Sequence, residues 1–370
     1  MLKESQYNKF MKLALELASR GKGATSPNPM VGAVLVRNGK IVGKGYHRKA
    51  GSLHAEVVAI KDSRGKAKGA TLFVNLEPCV HYGKTPPCCD EIIRARISKV
   101  VIGMKDPNPL VNGKGIRKLK IHGIEVEVGV MEKEAEELNE AFIKSIKTGT
   151  PFVIMKSAMS LDGKIATRSG QSKWLTSKES RKFVQELRLG VDGIMVGIGT
   201  ILKDDPRLSL RIKKREVNPP AKIIVDSQLK IPLRAELFSS KPDSEIIIAT
   251  TASNGNERKL RKLRKMGAEI IQTRSRGGRV DLQELMKELC RKGLRSILLE
   301  GGAELNASAI NEGIVDKVFY FYAPILIGGR NAKGTIGGEG ITKLQDAGKI
   351  DIKEIKKIGK DLLVIGYVRN

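Results

Sequence analysis

The sequence lacks the features that mark several large protein classes. No stretch reaches the roughly 18 apolar residues of a membrane-spanning helix, so a helical membrane protein is not expected. The start, Met1-Leu2-Lys3-Glu4-Ser5-Gln6, has no apolar run behind a basic cluster, and no secretory signal is read there. There are only four cysteines in 370 residues, and three of them fall between positions 79 and 89. That is not a disulfide framework; it fits a metal site in a reducing, cytoplasmic setting. Aromatic residues make up 4%, with one tryptophan, which leaves little for the base-stacking platforms of single-strand binders. Neither an internal repeat nor a long low-complexity tract is visible. The second half has no G-x-G-x-x-G after its first strand, so a standard Rossmann dinucleotide site is not supported.

Negative charge is scarce. Lysine and arginine number 67 against 40 acidic residues, a formal net charge of +27. Such an excess raises nucleic acid as a partner. It suits a small phosphorylated substrate and a phosphorylated cofactor equally well. Over Arg258–Met266 the basic residues surround Leu260, Leu263 and Met266 at near-helical spacing, the pattern of a solvated helix face. Residues 211–215 and 274–279 read as basic loops.

What is present is an alternation of strands and helices over a length that predicts two domains. The break falls at Lys147-Thr148-Gly149-Thr150-Pro151, which gives domains over 1–147 and 151–370. In the first, a helix over 5–20 precedes strands at 31–36 and 41–45, joined by the hairpin signal Asn38-Gly39. A helix from His54, a strand over 71–76, a helix over 88–96, strands at 99–103 and 124–128, and a helix over 132–147 follow. In the second, strands begin at Phe152 and recur near 192–196, 222–226, 245–250, 268–272, 296–299 and 316–321. Helices lie between them, around 178–189, 256–266 and 281–292. This order predicts a largely parallel sheet covered on both faces.

The chemistry of the first domain rests on His54-Ala55-Glu56, Pro78-Cys79 and Pro86-Pro87-Cys88-Cys89. One imidazole and two thiolates make a three-ligand zinc set, which leaves the fourth position open as a catalytic site requires. The H-x-E…P-C order is that of zinc deaminases, in which the glutamate moves protons and is not a ligand. Nucleic-acid-editing deaminases carry P-C-x-x-C; here eight residues separate Cys79 from Cys88. That insert holds His81, Lys84 and Thr85, residue types that contact phosphate. Cys290, far away in a helical pattern, reads as structural.

In the second domain three glycine-containing turns follow strands: Ser160-Leu161-Asp162-Gly163, Val196-Gly197-Ile198-Gly199-Thr200 and Leu299-Glu300-Gly301-Gly302-Ala303. The last opens a helix whose N-terminal amides could hold phosphate. Together they point to a ligand crevice at the carboxyl edge of the sheet. Trp174 could flank a nicotinamide or belong to the core.

With these motifs joined to Ser26–Gly32, Asp106-Pro107-Asn108-Pro109, Lys173–Ser177, Asp204-Asp205-Pro206 and Ala323–Gly329, the chain resembles the bifunctional riboflavin-biosynthesis deaminase–reductases over nearly its whole length. The resemblance implies an α/β protein with an N-terminal cytidine-deaminase-like domain, a mixed sheet flanked by helices, and a C-terminal dihydrofolate-reductase-like domain. It implies deamination of a diaminopyrimidinone carrying a phosphoribosylamino group, then reduction of the ribosyl unit to a ribityl chain by NADPH. By matched motif, His54, Cys79 and Cys88 hold one zinc ion and Glu56 shuttles the proton. Asn28, His47, His81, Lys84, Asp106 and Asn108 resemble substrate contacts in the first domain. In the second, Ala158, Trp174, Thr200, Asp204, Ser227 and the turn of Gly302, Ala303, Glu304, Leu305, Asn306, Ala307 and Ser308 resemble NADP contacts. Ser172, Arg188, Leu208, Arg211 and Glu300 resemble substrate contacts. Lys156, Asp204 and Glu300 are possible polar aids to hydride transfer. The partner expected is a small phosphorylated pyrimidine, with no nucleic acid and no membrane, in a homo-oligomer, a dimer or tetramer. The competing readings are a nucleic-acid-binding zinc deaminase with a non-catalytic second domain, and a structural zinc module.

Overall fold

The apolar strands assemble into two large sheets, one in each of two compact units, Met1–Gly149 and Thr150–Asn370. The computed structural model describes residues 4–80, 86–210, 217–239, 244–251 and 256–369. Among these, no helix is long and apolar enough to cross a membrane.

The first unit runs α1 (Glu4–Ser19), β1 (Gly32–Arg37), β2 (Lys40–Tyr46), α2 (Ala55–Asp62), β3 (Thr71–Leu76), α3 (Cys88–Arg94), β4 (Lys99–Met104), α4 (Lys114–Ile121), β5 (Glu125–Val128), α5 (Glu132–Leu138) and α6 (Glu140–Thr148). Its sheet has the order β2-β1-β3-β4-β5. The β1–β2 and β1–β3 pairs are antiparallel, and β3, β4 and β5 are parallel. Asn38 and Gly39 take φ of 49° and 71°, the positive pair that an Asn-Gly hairpin turn demands. Side chains alternate across the sheet. Val34, Val36, Phe73 and Val101 therefore pack on Phe10, Met11, Ala14 and Leu17 of α1. Ala33, Leu35, Leu72 and Val74 pack on Ala55 and Ala59 of α2, Ile92 of α3 and Leu119 of α4.

Helix α2 sits directly on the backbone of β2. A Cβ at Gly43 would lie 2.3 Å from the Ala59 carbonyl oxygen, and one at Gly45 would lie 2.6 Å from that of Ala55. Only glycine permits this approach. The helix expected over 132–147 is broken at Asn139, which takes φ −111° and ψ 20°. The Asn139 carboxamide accepts from Met30 N at 2.8 Å and donates to Met30 O at 3.0 Å. These bonds divert the residue from the helix and tether the segment that carries Asn28.

The second unit runs β6 (Phe152–Ser160), α7 (Lys178–Leu189), β7 (Gly193–Gly197), α8 (Ile198–Asp204), β8 (Ala221–Val225), β9 (Ile246–Thr251), α9 (Glu257–Lys265), β10 (Ala268–Thr273), β11 (Ser275–Arg276), β12 (Arg279–Val280), α10 (Leu282–Arg291), β13 (Ser296–Leu299), α11 (Ala303–Asn311), β14 (Lys317–Ala323), β15 (Lys349–Ile358) and β16 (Asp361–Arg369). The large sheet has the order β10-β9-β8-β7-β13-β6-β14-β16-β15. It is parallel from β10 through β14, and an antiparallel hairpin, β16 and β15, is added at the edge. The interior strands are apolar runs, such as Ile246–Ala249 and Ile297–Leu299, because helices cover both faces. Since β13 inserts between β6 and β7, the chain reverses its direction of winding there. Such a switch point opens a crevice at the carboxyl ends of the strands.

One local expectation needs correction, and one open alternative is decided. Residues 274–279 are not a plain loop: β11 and β12 pair across Gly277-Gly278, both at positive φ. Trp174 is 64% exposed and is not a core residue. The basic run 211–215 lies outside the described residues.

Candidate functional sites

In the first unit the sheet and two helix starts converge. His54 caps α2, Cys79 follows β3 and Cys88 opens α3. His54 Nδ1 stands 2.9 Å from Cys88 Sγ and 3.6 Å from Cys79 Sγ. All three ligand atoms lie within 4.8 Å of one another. Cys88 N donates to Cys79 Sγ at 3.3 Å. The neighbouring Cys89 thiol points elsewhere, toward the Pro78 carbonyl at 3.4 Å. A hydrogen bond from Cys88 lowers the Cys79 thiol to about 4; burial opposes it and the His54 ring reinforces it. The same bond, together with burial, raises the Cys88 thiol. Two sulfurs and an imidazole thus converge, a donor set that suits zinc, which binds deprotonated sulfur and imidazole nitrogen.

Glu56 points into the same place from the first turn of α2. It is 3% exposed, and its Oε2 has no hydrogen-bond partner among the described residues. A buried orphan of this kind is costly unless a ligand or water meets it. Burial raises the Glu56 carboxyl, against the lowering effect of the His54 charge. His47 lies edge-on to His54, ring centroids 5.4 Å apart. Its Nδ1 faces the Leu53 carbonyl at 3.2 Å, which can only accept. The proton is therefore on Nδ1, and Nε2 accepts from Asn28 Nδ2 at 3.2 Å. Burial pulls the His47 ring below its ordinary value, consistent with a neutral ring.

Asp106 and Asn108 follow β4. Asp106 Oδ1 accepts from Asn108 N at 2.8 Å, and Asn108 Oδ1 from Leu110 N at 3.0 Å. Sequence reasoning gave no role to Glu77, just before Pro78-Cys79. Its buried carboxylate accepts from the backbone amides of Asp106, Gly113, Gly115 and Ile116. It fixes the end of β3, and hence Cys79, to the start of α4. An acidic residue before Pro-Cys was the available signal. His81 and Lys84 lie outside the described residues.

In the second unit a cavity of about 980 Å³ opens at the carboxyl edge of the sheet. Its wall includes Ala158, Ser172, Trp174, Arg188, Thr200, Asp204, Ser227, Glu300, Gly302, Ala303, Glu304, Leu305 and Ser308. Of the other expected residues, Asn306 is fully buried beneath the wall, where its Nδ2 donates to Thr335 O at 3.0 Å. Ala307 is buried too. Leu208 packs in the core with Ile224, Ile231 and Leu237; its side chain is absent from the cavity wall. Arg211 lies outside the described residues.

At the inner end Arg188 grips Glu300 through two bonds of 2.7 and 2.8 Å. Burial acts to raise the Glu300 carboxyl, but the Arg188 charge and hydrogen bonds overcome it and hold the group below its ordinary range. Lys156, on β6, lies in the same wall, and burial lowers its ammonium. The Arg181 guanidinium stands 4.7 Å from the centre of the Trp174 ring, a cation–π arrangement. Gly302 caps α11 without a side-chain hydrogen bond, and it lines the cavity with Ala303, so that a helix N-terminus, the usual place for an anion, borders the cavity.

Two family models match in succession. That for the cytidine and deoxycytidylate deaminase zinc-binding region covers residues 4–104, and that for the RibD C-terminal domain covers 151–364. The riboflavin biosynthesis protein RibD of Actinobacillus pleuropneumoniae is 44% identical over 355 residues, 96% of this chain and 93% of that protein. That of Aquifex aeolicus is 44% identical over 365 residues, 98% and 99% of the two chains. Among solved structures, RibD of Acinetobacter baumannii is similar with a TM-score of 0.89, 33% identity and 100% coverage of both chains. The diaminohydroxyphosphoribosylaminopyrimidine deaminase/5-amino-6-(5-phosphoribosylamino)uracil reductase of Thermotoga maritima gives 0.87, 35% identity and 99% coverage of both.

Proposed function

This chain belongs to the RibD family of bifunctional riboflavin-biosynthesis enzymes, and from that premise we propose which of its residues carry each of two reactions. The enzyme deaminates 2,5-diamino-6-(phosphoribosylamino)pyrimidin-4-one in a zinc-dependent step and reduces the ribosyl group to ribityl phosphate with NADPH. A nucleic-acid-binding deaminase with a non-catalytic second domain finds no support, since residues 151–364 match the reductase model.

The proposed deaminase domain is 1–147, with His54, Cys79 and Cys88 as zinc ligands. Zinc, when bound, supplies Lewis-acid activation of the attacking water. Glu56 takes a proton from that water and delivers it to the departing amine, so that oxygen replaces nitrogen on the ring and ammonia leaves. The observation that carries this reading is the buried Glu56 Oε2, unpartnered among the described residues, beside the His/Cys/Cys cluster. Burial acts to raise its proton affinity, as suits a group that carries a proton between the two transfers. Neutral His47, with Asn28, offers fixed polar groups to the pyrimidine, and His81, Lys84, Asp106 and Asn108 complete the proposed substrate contacts.

The proposed reductase domain is 151–370. NADPH supplies the hydride. Ala158, Trp174, Thr200, Asp204, Ser227 and the turn from Gly302 to Ser308 are the proposed cofactor residues. Ser172, Arg188, Arg211 and Glu300 are the proposed substrate residues; Leu208 would act only through backbone or packing. We also propose a cytoplasmic homo-oligomer, a dimer or tetramer, that binds no nucleic acid. Free cysteines suit a reducing compartment. The edge strand β15 exposes Ile352 and Ile355, the kind of edge that a second copy covers.

Glu56→Gln tests the deaminase assignment. Deamination falls by about a hundredfold or more while the zinc content of the purified protein stays at the wild-type value. Loss of the metal in this variant would remove Glu56 from the proton-carrier role. A gel shift with RNA at about 150 mM salt tests the partner assignment: non-specific phosphate contacts weaken steeply with salt, so no retained complex is expected.

A further inference from the structure

The buried charges at the inner end of the cavity fix the direction in which a dinucleotide must lie. Lys156, Arg188 and Glu300 belong with the reacting carbon, and the nicotinamide has to meet that carbon for hydride to pass. From β13, which ends just before Glu300, the crevice continues over β7 and then β8. Neighbouring strands are about 4.8 Å apart, so each step carries the ligand outward. Gly302 and the first turn of α11 come first and suit the pyrophosphate. Ser227, after β8, comes next. The adenosine half of the cofactor therefore belongs against Ser227 and whatever packs on it.

The β11–β12 hairpin packs there. Val280 N donates to Ser227 Oγ at 3.0 Å. This bond brings Arg279 into the cavity wall, where its guanidinium donates to Ser308 Oγ at 3.1 Å and to Glu304 at 3.0 Å. Several other cations of the wall are engaged elsewhere: Arg188 with Glu300, Arg181 with the Trp174 ring and the Thr176 carbonyl, and Lys203 with the Gly170 carbonyl. The Arg279–Glu304 pair is more than half exposed on both sides. Such pairs add little stability and exchange readily for a better acceptor. A phosphate dianion is that acceptor, because the guanidinium fork matches two of its oxygens.

We propose that Arg279 reads the 2′-phosphate of NADPH and sets the preference for NADPH over NADH, with Glu304 as its resting partner. The inference rests on the assignment of this cavity to the cofactor. It also accounts for the basic hairpin, whose Gly277-Gly278 turn presents Arg279 from a two-strand ribbon.

Calorimetric binding of 2′,5′-ADP and 5′-AMP to the full chain tests it, alongside kcat/KM with NADPH and NADH. The wild type binds 2′,5′-ADP more tightly than 5′-AMP. Arg279→Ala erases most of that difference, an effect of about tenfold or more for a charged hydrogen bond, and lowers the NADPH:NADH ratio of kcat/KM in step. Arg279→Lys keeps part of the discrimination and guards against a folding artefact. Glu304→Gln, which frees the guanidinium, tightens 2′,5′-ADP. An Arg279→Ala protein that still separates the two nucleotides as the wild type does overturns the inference. Gly302→Val isolates the underlying premise, since a side chain at Gly302 would enter open space in the wall. If Gly302→Val left NADPH binding intact, the cavity assignment itself would fall. If it blocks binding while Arg279→Ala changes nothing, only the role of Arg279 falls.

Discussion

Individual atoms set much of the behaviour of both sites. Glu56, the proposed proton carrier, stood out from its place two residues after His54, because proton transfer needs a carboxylate beside the metal; that its Oε2 lacks a partner among the described residues could be seen only in three dimensions. Asp162 illustrates a residue whose motif was legible and whose role was not. Its Oδ1 accepts from Ser160 Oγ at 2.6 Å and Ile327 N at 3.0 Å, and its Oδ2 from Gly328 N at 2.7 Å. These bonds, the one from Ser160 foremost, lower its carboxyl from 3.8 to about 2. A depressed folded-state value means that the tether is complete above 3.8, the unfolded value, and is lost as pH falls through about 2. Hydrogen exchange of the Ile327 and Gly328 amides, corrected for intrinsic rates, should lose protection over that window. Asp162→Asn should lose protection at all pH values; a pH dependence that survives in the variant would assign the titration to another group.

At the level of elements, the position of α2 matters most, because it carries both His54 and Glu56. It rests on glycine backbone at Gly43 and Gly45. Gly45→Ala places a methyl 2.6 Å from the Ala55 carbonyl oxygen, so the helix start must move. A shift of about 1 Å can cost a hundredfold in rate. Deamination is expected to fall by about tenfold or more while reduction of supplied deaminated intermediate is kept; equal loss of both would point to general misfolding. Most of the strands and helices around the two sites were legible from apolar periodicity and turn residues; α4 was not, nor was α8, whose first residues read as a glycine-containing turn. Two of the features that were not legible, the break at Asn139 and the burial of Leu208, depend on partners distant in sequence. The break at Asn139 follows from bonds to Met30, 109 residues away. Strand β15 gave no apolar run, because it is an exposed edge on which isoleucines alternate with charges, and the apolar Leu362–Ile365 run of its partner β16 was not read as a strand. The burial of Leu208 is set by the packing of Ile224, Ile231 and Leu237 around it.

For the whole molecule, two chemistries are housed in two units, Met1–Gly149 and Thr150–Asn370, each with its own sheet and core. The turn-rich stretch around Gly149 marked a break because Gly and Pro end regular structure, and the sheet order could not be read from it. Strand order is decided by long-range insertion, as when β13 enters between β7 and β6 and creates the crevice. The large positive charge is distributed locally: cations line the cavity of the second unit, and others, as on α9, surround a buried Leu260-Leu263 seam. The most direct measurement is mass spectrometry of the diaminopyrimidinone phosphate after incubation with the zinc-loaded chain, with and without NADPH. The expected result is a gain of about one mass unit without cofactor, as oxygen replaces the amine, and a further gain of about two with NADPH, as hydride and a proton are added. A substrate left unchanged by the zinc-loaded protein, or reduced without first being deaminated, would contradict the two-site assignment.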